Sequence, residues 1–130
     1  MTFSIDRIDH VVINCRDVEA TAQWYRTVLG MTVERFGPRQ RVALMFGRQK
    51  INLRPTGAED WHTAAVDAVG SEDLCFVTAA APQEVVDHFA AHGIEVVDGP
   101  VEKMGALGPM TSIYCRDRDG NLIEVAHYGN

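Results

Sequence analysis

The sequence predicts an α+β fold in which two βαβββ modules form one curled eight-stranded mixed sheet around a central cleft. A strand, a helix and three short strands follow one another twice along the chain. The spacing repeats as well, because Gly30 follows His10 by 20 residues and Gly93 follows Asp73 by the same 20. A module of this size is too small to bury a core alone. The two are therefore expected to share one domain.

The first module covers about residues 5–57 and opens with an apolar strand. Asp17 is a suitable N-cap for the helix that follows. Gly30 occupies the position that often comes directly after a helix. The predicted elements are the strand Ile8–Asn14, a helix ending near Leu29, the strands Met31–Phe36, Arg41–Phe46 and Lys50–Arg54, and a linker over Thr56–Val69.

The second module covers about residues 70–130, so that the single domain spans residues 1–130. Pro82 favours a helix start and Gly93 a helix end. The segment Asp98–Pro109 holds three glycines and two prolines and is predicted to be a loop, either plain surface or a lid over the cleft. The predicted strands are Glu72–Thr78, Ile94–Val97, Ser112–Arg116 and Asn121–His127.

Glu124 is the most informative single residue. It lies within the apolar run Leu122–Val125, just after Asp119-Gly120, a strong signal for a two-residue hairpin. A buried carboxylate is costly unless it is paired, hydrogen-bonded or bound to a metal. Glu124 therefore either faces solvent on an edge strand or takes part in a site.

The two modules also match at their last strands, since Ile51–Arg54 resembles Asn121–Glu124 in pattern. The first and last strands of each module are expected to bring four residues towards one pocket. They are His10, Arg54, Asp73 and Glu124.

Composition excludes several classes of function. The net charge of −6 argues against a nucleic-acid or anionic-membrane partner, and no apolar run is long enough to span a bilayer. No segment near the start resembles a signal peptide. Three cysteines without a close pair indicate reduced thiols. We therefore expect a cytoplasmic location.

Three sets of motifs resemble the vicinal oxygen chelate superfamily, which includes glyoxalase I, extradiol dioxygenases, and fosfomycin- and bleomycin-resistance proteins. They are Ile8–Val12, Trp24-Tyr25 with Leu29–Met31, and Arg116-Asp117 with Asp119–Glu124. The resemblance runs from Ile8 to Tyr128. In detail the chain is most similar to the single-domain group called glyoxalase-domain-containing protein 5, through Gly99-Pro100, Gly105-Ala106, Gly108-Pro109 and Ser112–Tyr114.

This resemblance implies a divalent metal ion, Zn, Ni, Mn or Fe, held in the cleft by His10, Asp73 and Glu124. Arg54 stands where relatives often supply a fourth ligand, and a guanidinium that stays protonated cannot ligate. A metal-free cleft, in which Arg54 pairs with Glu124 or Asp73, is the alternative.

The resemblance also implies an enzyme of lyase, isomerase or dioxygenase type. Its substrate would be a small, anionic organic molecule that reacts through a metal-stabilised oxyanion or enolate. Glu124 and Arg54 are the expected catalytic residues, and Arg54, Tyr114 and Lys103 the expected substrate contacts. The rival hypothesis is a metal-free protein that sequesters a small molecule, as bleomycin-resistance proteins do.

Two further expectations concern surfaces. The resemblance implies a homodimer, for which spare sheet edges give a physical reason. His127 lies three residues after Glu124 on the same strand, so it is expected to point to the opposite face and not to ligate.

Overall fold

The computed structural model describes residues 2–129. The chain divides into two compact units, Met1–Asp67 and Ala68–Asn130. Each unit has the predicted order of strand, helix and three strands, which confirms the α+β class and the βαβββ repeat. Among residues 2–129, neither helix has the length and hydropathy that are required to span a membrane.

The first unit forms a mixed four-stranded sheet in the order β1-β4-β3-β2, with β1 and β4 parallel. Its elements are β1 (His10–Cys15), α1 (Val18–Leu29), β2 (Thr32–Phe36), β3 (Arg41–Phe46) and β4 (Gln49–Pro55). Asp17 caps α1 as predicted, because its side chain accepts a hydrogen bond of 3.0 Å from Ala20 N. Gly30 follows the helix with φ of 68°, a conformation that glycine adopts without strain.

The second unit repeats this arrangement in the order β5-β8-β7-β6, with β5 and β8 parallel. Its elements are β5 (Asp73–Val77), α2 (Pro82–Ala91), β6 (Asp98–Gly105), β7 (Gly108–Arg116) and β8 (Leu122–His127). Pro82 begins α2 as predicted. The eight strands thus form two four-stranded sheets and not the single eight-stranded sheet that was predicted.

Each helix covers one face of its own sheet. In the first unit Tyr25 of α1 is fully buried, together with Ile13, Leu44 and Ile51 of the sheet. In the second unit Phe89 of α2 is buried with Ile113 and Ile123. Because side chains alternate along a strand, the residues between these apolar ones lie on the other side of each sheet, which we call the helix-free face.

The glycine-rich segment departs from the prediction. Instead of a loop over 98–109, β6 and β7 pair as an antiparallel hairpin, with Lys103 opposite Met110 and Gly105 opposite Gly108. The predicted strand Ile94–Val97 does not form. The loop was predicted because of the glycines and prolines in this segment. However, β6 lies at the edge of its sheet, where a proline such as Pro100 can be accommodated without breaking the hydrogen-bond ladder.

The connection from β7 to β8 is also longer than the predicted two-residue turn. The last ladder pair is Arg116 with Leu122, so the loop comprises residues 117–121. One carboxylate closes this loop. Asp117 Oδ1 accepts from Asp119 N at 3.0 Å and Asn121 N at 2.9 Å, and its Oδ2 accepts from Asn121 Nδ2 at 2.8 Å.

Candidate functional site

Glu124 is half-buried at the centre of β8, on the helix-free face of the second unit. Ser112 on β7 is fully buried and donates a hydrogen bond of 2.6 Å from Oγ to Glu124 Oε2. A short bond to an ionised group is among the stronger hydrogen bonds in proteins. The hydroxyl therefore stabilises the carboxylate where an unpartnered charge would be costly.

Tyr114 and Cys75 flank Glu124 on the two neighbouring strands, since both are its ladder partners. Burial, helped by a hydrogen bond with Glu124, raises the pKa of Tyr114 to about 12. Burial and the charge of Glu124 raise the pKa of Cys75 to about 11. At neutral pH Tyr114 thus keeps a hydroxyl proton to donate, and Cys75 is a thiol and not a nucleophilic thiolate.

Asp73 lies at the start of β5, opposite Leu122 and two residues before Cys75. Because its spacing from Cys75 is even, it belongs to the same helix-free face as Glu124. Its charge contributes, as a lesser cause, to the raised pKa values of Cys75 and Tyr114. The second unit therefore assembles two predicted metal ligands and one predicted substrate contact on one face.

His10 begins β1 in the first unit and remains partly exposed. Its Nδ1 lies 2.9 Å from Asp9 Oδ1, and this hydrogen bond is the main cause that lowers the pKa of Asp9. A carboxylate on one ring nitrogen orients the imidazole and leaves Nε2 as the nitrogen for a ligand.

Asn52 is a candidate site residue that the sequence reasoning overlooked. It lies on β4, next to Ala43 of β3, and its side chain is on the helix-free face. Asn52 is only 7% exposed, and its Oδ1 is buried without a hydrogen-bond partner among residues 2–129. Buried acceptors of this kind are rare and call for an explanation.

The strand registers correct the predicted match between the modules. His10 pairs with Lys50 in the first unit, and Asp73 pairs with Leu122 in the second. If His10 and Asp73 are equivalent, then the residue equivalent to Glu124 is Asn52. The predicted match between Glu124 and Arg54 is therefore wrong by two residues. A signal was present in the sequence, because Ile51-Asn52-Leu53 has the same pattern as Ile123-Glu124-Val125.

Arg54 is 3% exposed, its two Nη groups are engaged inside the first unit, and its Nε is buried without a hydrogen-bond partner among residues 2–129. Its Nη1 donates to Asn14 Oδ1 at 2.9 Å and to Asp67 Oδ2 at 2.7 Å, and its Nη2 donates to Ala58 O at 2.6 Å. The hydrogen bond from Arg54 is the main cause that lowers the pKa of Asp67. The carboxylate partner is therefore Asp67, and the role of Arg54 in substrate binding and catalysis stays a prediction.

Contacts define the surroundings of two other predicted residues, Lys103 and His127. Lys103 on β6 places Nζ 5.9 Å from the centre of the Tyr114 ring, which puts a cation beside this predicted substrate contact. His127 follows Glu124 by three positions on β8, which is an odd spacing, and its Nδ1 lies 3.3 Å from Thr78 O. It faces away from Glu124, as expected.

The three predicted metal ligands belong to different units, with His10 in the first and Asp73 and Glu124 in the second. Across residues 2–129, no group of three or more His, Cys, Asp or Glu side chains stands ready to hold a metal ion. Asparagine is a further donor, because its carbonyl oxygen is an established ligand of hard cations. The metal site accordingly stays a prediction, with Asn52 added to its donor set.

A family model described as the Glyoxalase/Bleomycin resistance protein/Dioxygenase superfamily matches residues 7–125. The chain belongs to this superfamily. It is 49% identical over 125 residues to glyoxalase domain-containing protein RDO1 of Mycosarcoma maydis, covering 96% of this chain and 70% of that protein. It is 46% identical over 124 residues to virulence protein STM3117 of Salmonella typhimurium, covering 95% and 85%.

Solved structures of the superfamily have the same fold. The crystal structure of STM3117 matches with a TM-score of 0.93 and covers 97% of this chain and 99% of that one. Lactoylglutathione lyase from Agrobacterium tumefaciens matches at 0.73 with 26% identity over 97% and 98%. TnmS3, an antibiotic binding protein from Streptomyces sp. CB03234, matches at 0.74 with 17% identity over 96% and 98%. The last of these shows the fold alone.

Proposed function

We propose that this protein is a metal-dependent enzyme that acts on a small anionic organic substrate, with His10, Asn52, Asp73 and Glu124 as the metal ligands. One observation carries the proposal. In each unit, one candidate metal ligand lies at the start of the first strand. A second candidate lies on the last strand, two residues after the residue that pairs with the first candidate. The pairs are His10 with Asn52, and Asp73 with Glu124, all on helix-free faces.

The donor chemistry fits a divalent ion. One imidazole nitrogen and three oxygens suit Mn, Fe, Ni or Zn. The unpartnered Asn52 Oδ1 would gain the partner that it lacks, and an unsatisfied buried acceptor costs about 1–3 kcal/mol. The carboxylates of Asp73 and Glu124 would balance the charge of the ion. An ion bound there would polarise a substrate oxygen as a Lewis acid and stabilise negative charge that develops on it.

The protein's own groups supply the rest of the chemistry. Ser112 holds one oxygen of Glu124, which helps to fix the direction of the carboxylate. Tyr114 retains its proton at neutral pH and shares it with Glu124, so it would redirect that proton to donate to a substrate oxygen. Lys103 beside it attracts an anionic substrate. Arg54 is left out because Asn14, Ala58 and Asp67 already engage its two Nη groups.

The reaction type is proposed to be that of a lyase or isomerase. The likeness to lactoylglutathione lyase at 26% identity supports this more than it supports a dioxygenase. Among residues 2–129, Cys15, Cys75 and Cys115 form no disulfide, which suits a reducing cytoplasm. Each sheet ends in two edge strands, so a homodimer that covers an edge is also proposed, and its mass in solution would test it.

Metal analysis tests the proposal directly. Protein that is purified without chelator should carry about one equivalent of a divalent metal, and calorimetry with Mn²⁺ should measure its affinity after the metal is removed. Glu124→Gln should weaken Mn²⁺ binding at least about 100-fold, since a carboxylate that ligates the ion is lost. His127→Ala is the matched control on the same strand. Equal loss from both variants, or no loss from either, would contradict the proposed ligand set.

A metal-free binding protein is the second proposal. It is favoured by Arg54, a buried cation two residues from Asn52 on the same face, which disfavours a nearby metal ion. The fold is shared with the antibiotic binding protein TnmS3. A small-molecule ligand whose affinity survives complete removal of metal would support this function over the first.

A further inference from the structure

Two histidines lie outside the proposed site, one helical turn apart at the end of α2. His88 is in the last turn of the helix and His92 is its C-cap. The chain between them is still helical, because His92 N donates to His88 O at 3.2 Å. Both residues are exposed. Residues at this spacing face the same side of a helix, so their rings are neighbours.

The rings already stand close to a chelating arrangement. Their centres are 4.3 Å apart with 44° between the planes. Two nitrogens on one metal ion, each at about 2.0–2.1 Å, stand roughly 3 Å apart, a separation that two rings with centres 4.3 Å apart can reach by side-chain rotation.

One nitrogen is already oriented for metal binding. His92 Nδ1 lies 2.9 Å from the backbone oxygen of His88. A carbonyl oxygen can only accept, so Nδ1 carries the proton and Nε2 carries the lone pair in the neutral ring. A backbone carbonyl on the second ring nitrogen is the arrangement that metal-binding histidines commonly show.

The electrostatic surroundings also favour a cation. The end of a helix carries partial negative charge from carbonyl groups without helical partners. Glu84 is one turn before His88 on the same side of α2, and the chain as a whole carries a net charge of −6. A divalent ion at this end would interact favourably with both.

We propose that His88 and His92 form a two-histidine chelate for a borderline transition-metal ion, Cu²⁺, Ni²⁺ or Zn²⁺, at the C-terminal end of α2, with water in the remaining positions. Imidazole nitrogen selects these ions, whereas Mg²⁺ and Ca²⁺ prefer oxygen ligands. The chelate is independent of the proposed enzyme function, because neither histidine belongs to the helix-free face of its unit.

Paramagnetic Cu²⁺ makes the test specific to position. In the Glu124→Gln chain, where the proposed enzyme site is disabled, substoichiometric Cu²⁺ at constant pH should broaden the amide signals of residues 85–93. His92→Gln should abolish this broadening and lower the Cu²⁺ affinity about tenfold or more, because chelation becomes single-ligand binding. His62→Gln is the matched control, since His62 is exposed and lies on the linker. It should change neither measurement.

Three outcomes would overturn the proposal. They are broadening centred elsewhere in the chain, an affinity that His92→Gln leaves unchanged, and equal losses in the His92→Gln and His62→Gln chains. Magnesium ions should broaden or shift nothing in α2, and a response as large as that to Cu²⁺ would mean a nonspecific acidic surface instead.

Discussion

The two units have the same order of elements and differ in what occupies the helix-free face. In the first unit the register pair Asn14 with Arg54 buries a cation. The equivalent pair in the second unit is Val77 with Ala126, which has no charge. Two residues before Arg54 on β4 lies the neutral Asn52, and two residues before Ala126 on β8 lies the charged Glu124. A repeated backbone thus carries a buried cation in one copy and a half-buried carboxylate in the other.

The largest expected difference concerns Arg54. Arg54→Ala should lower the free energy of unfolding by about 3 kcal/mol, because it leaves a cavity and unsatisfied acceptors on Asn14 and Ala58. Urea denaturation measures this. Arg35→Ala is the control, since Arg35 makes an exposed pair with Glu19 at 2.7 Å, worth about 0.5 kcal/mol. A stable Arg54→Ala protein with weakened carboxylate binding would instead give Arg54 its predicted role in substrate binding.

The stability of the second unit should depend on Ser112, with a smaller effect on the free energy of unfolding than that of Arg54 in the first unit. Ser112→Ala removes the 2.6 Å hydrogen bond to Glu124 Oε2 and should cost about 2 kcal/mol of unfolding free energy in metal-free buffer. Ser71→Ala, which removes an exposed bond of 2.9 Å to Ala68 O, should cost well under about 1 kcal/mol. Similar small losses in both variants would show that Ser112 does not stabilise the carboxylate.

Asn52 offers a way to make the two units more alike. Asn52→Asp would give the first unit the carboxylate that the second has in Glu124. Since ligand charge raises cation affinity, Mn²⁺ should bind about tenfold more tightly, and Asn52→Leu should weaken it. Calorimetry with Mn²⁺ compares the three chains. Unchanged affinity in both variants would remove Asn52 from the ligand set.

The smallest expected difference is a pH dependence confined to the first unit. Arg54 lowers the pKa of Asp67 below its ordinary value of 3.8. A carboxyl group whose pKa is lowered by folding stabilises the folded state at pH values above its pKa in the unfolded chain. This stabilisation is lost as the pH falls through its pKa in the folded state. The difference in free energy of unfolding between the native chain and the Arg54→Met chain should therefore become smaller as the pH falls below 3.8. Urea midpoints across that range would show it, and a gap that widens would contradict the assignment.

Much of the fold could be predicted because its signals are local. Asp17 and Gly30 delimit α1 through capping and φ, and strand β3 has the predicted bounds. The β6–β7 hairpin was missed because its glycines and prolines resemble a loop. Only the pairing with β7, a tertiary interaction, reveals the strand.

The site was less predictable, for a different reason. Glu124 was evident because a charge within an apolar run is unusual. Asn52 gave a weaker signal, and the two-residue error came from counting residues along the chain, whereas ladder register decides which residues are equivalent. The partner of Arg54 could not be predicted, because Asp67 comes from an irregular linker whose path has no periodic signal.

The β6–β7 hairpin has a consequence for how the sequence can vary in evolution. A side chain at Gly105 would collide with the Tyr128 hydroxyl and the Met110 sulfur. That hydroxyl also lies 3.2 Å from Leu107 N at the hairpin tip and accepts its hydrogen bond. A side chain at position 105 would therefore displace the end of the Tyr128 side chain and weaken its hydrogen bond to Leu107. Among homologues these two positions should change together, although 22 residues of chain separate Gly105 from Tyr128.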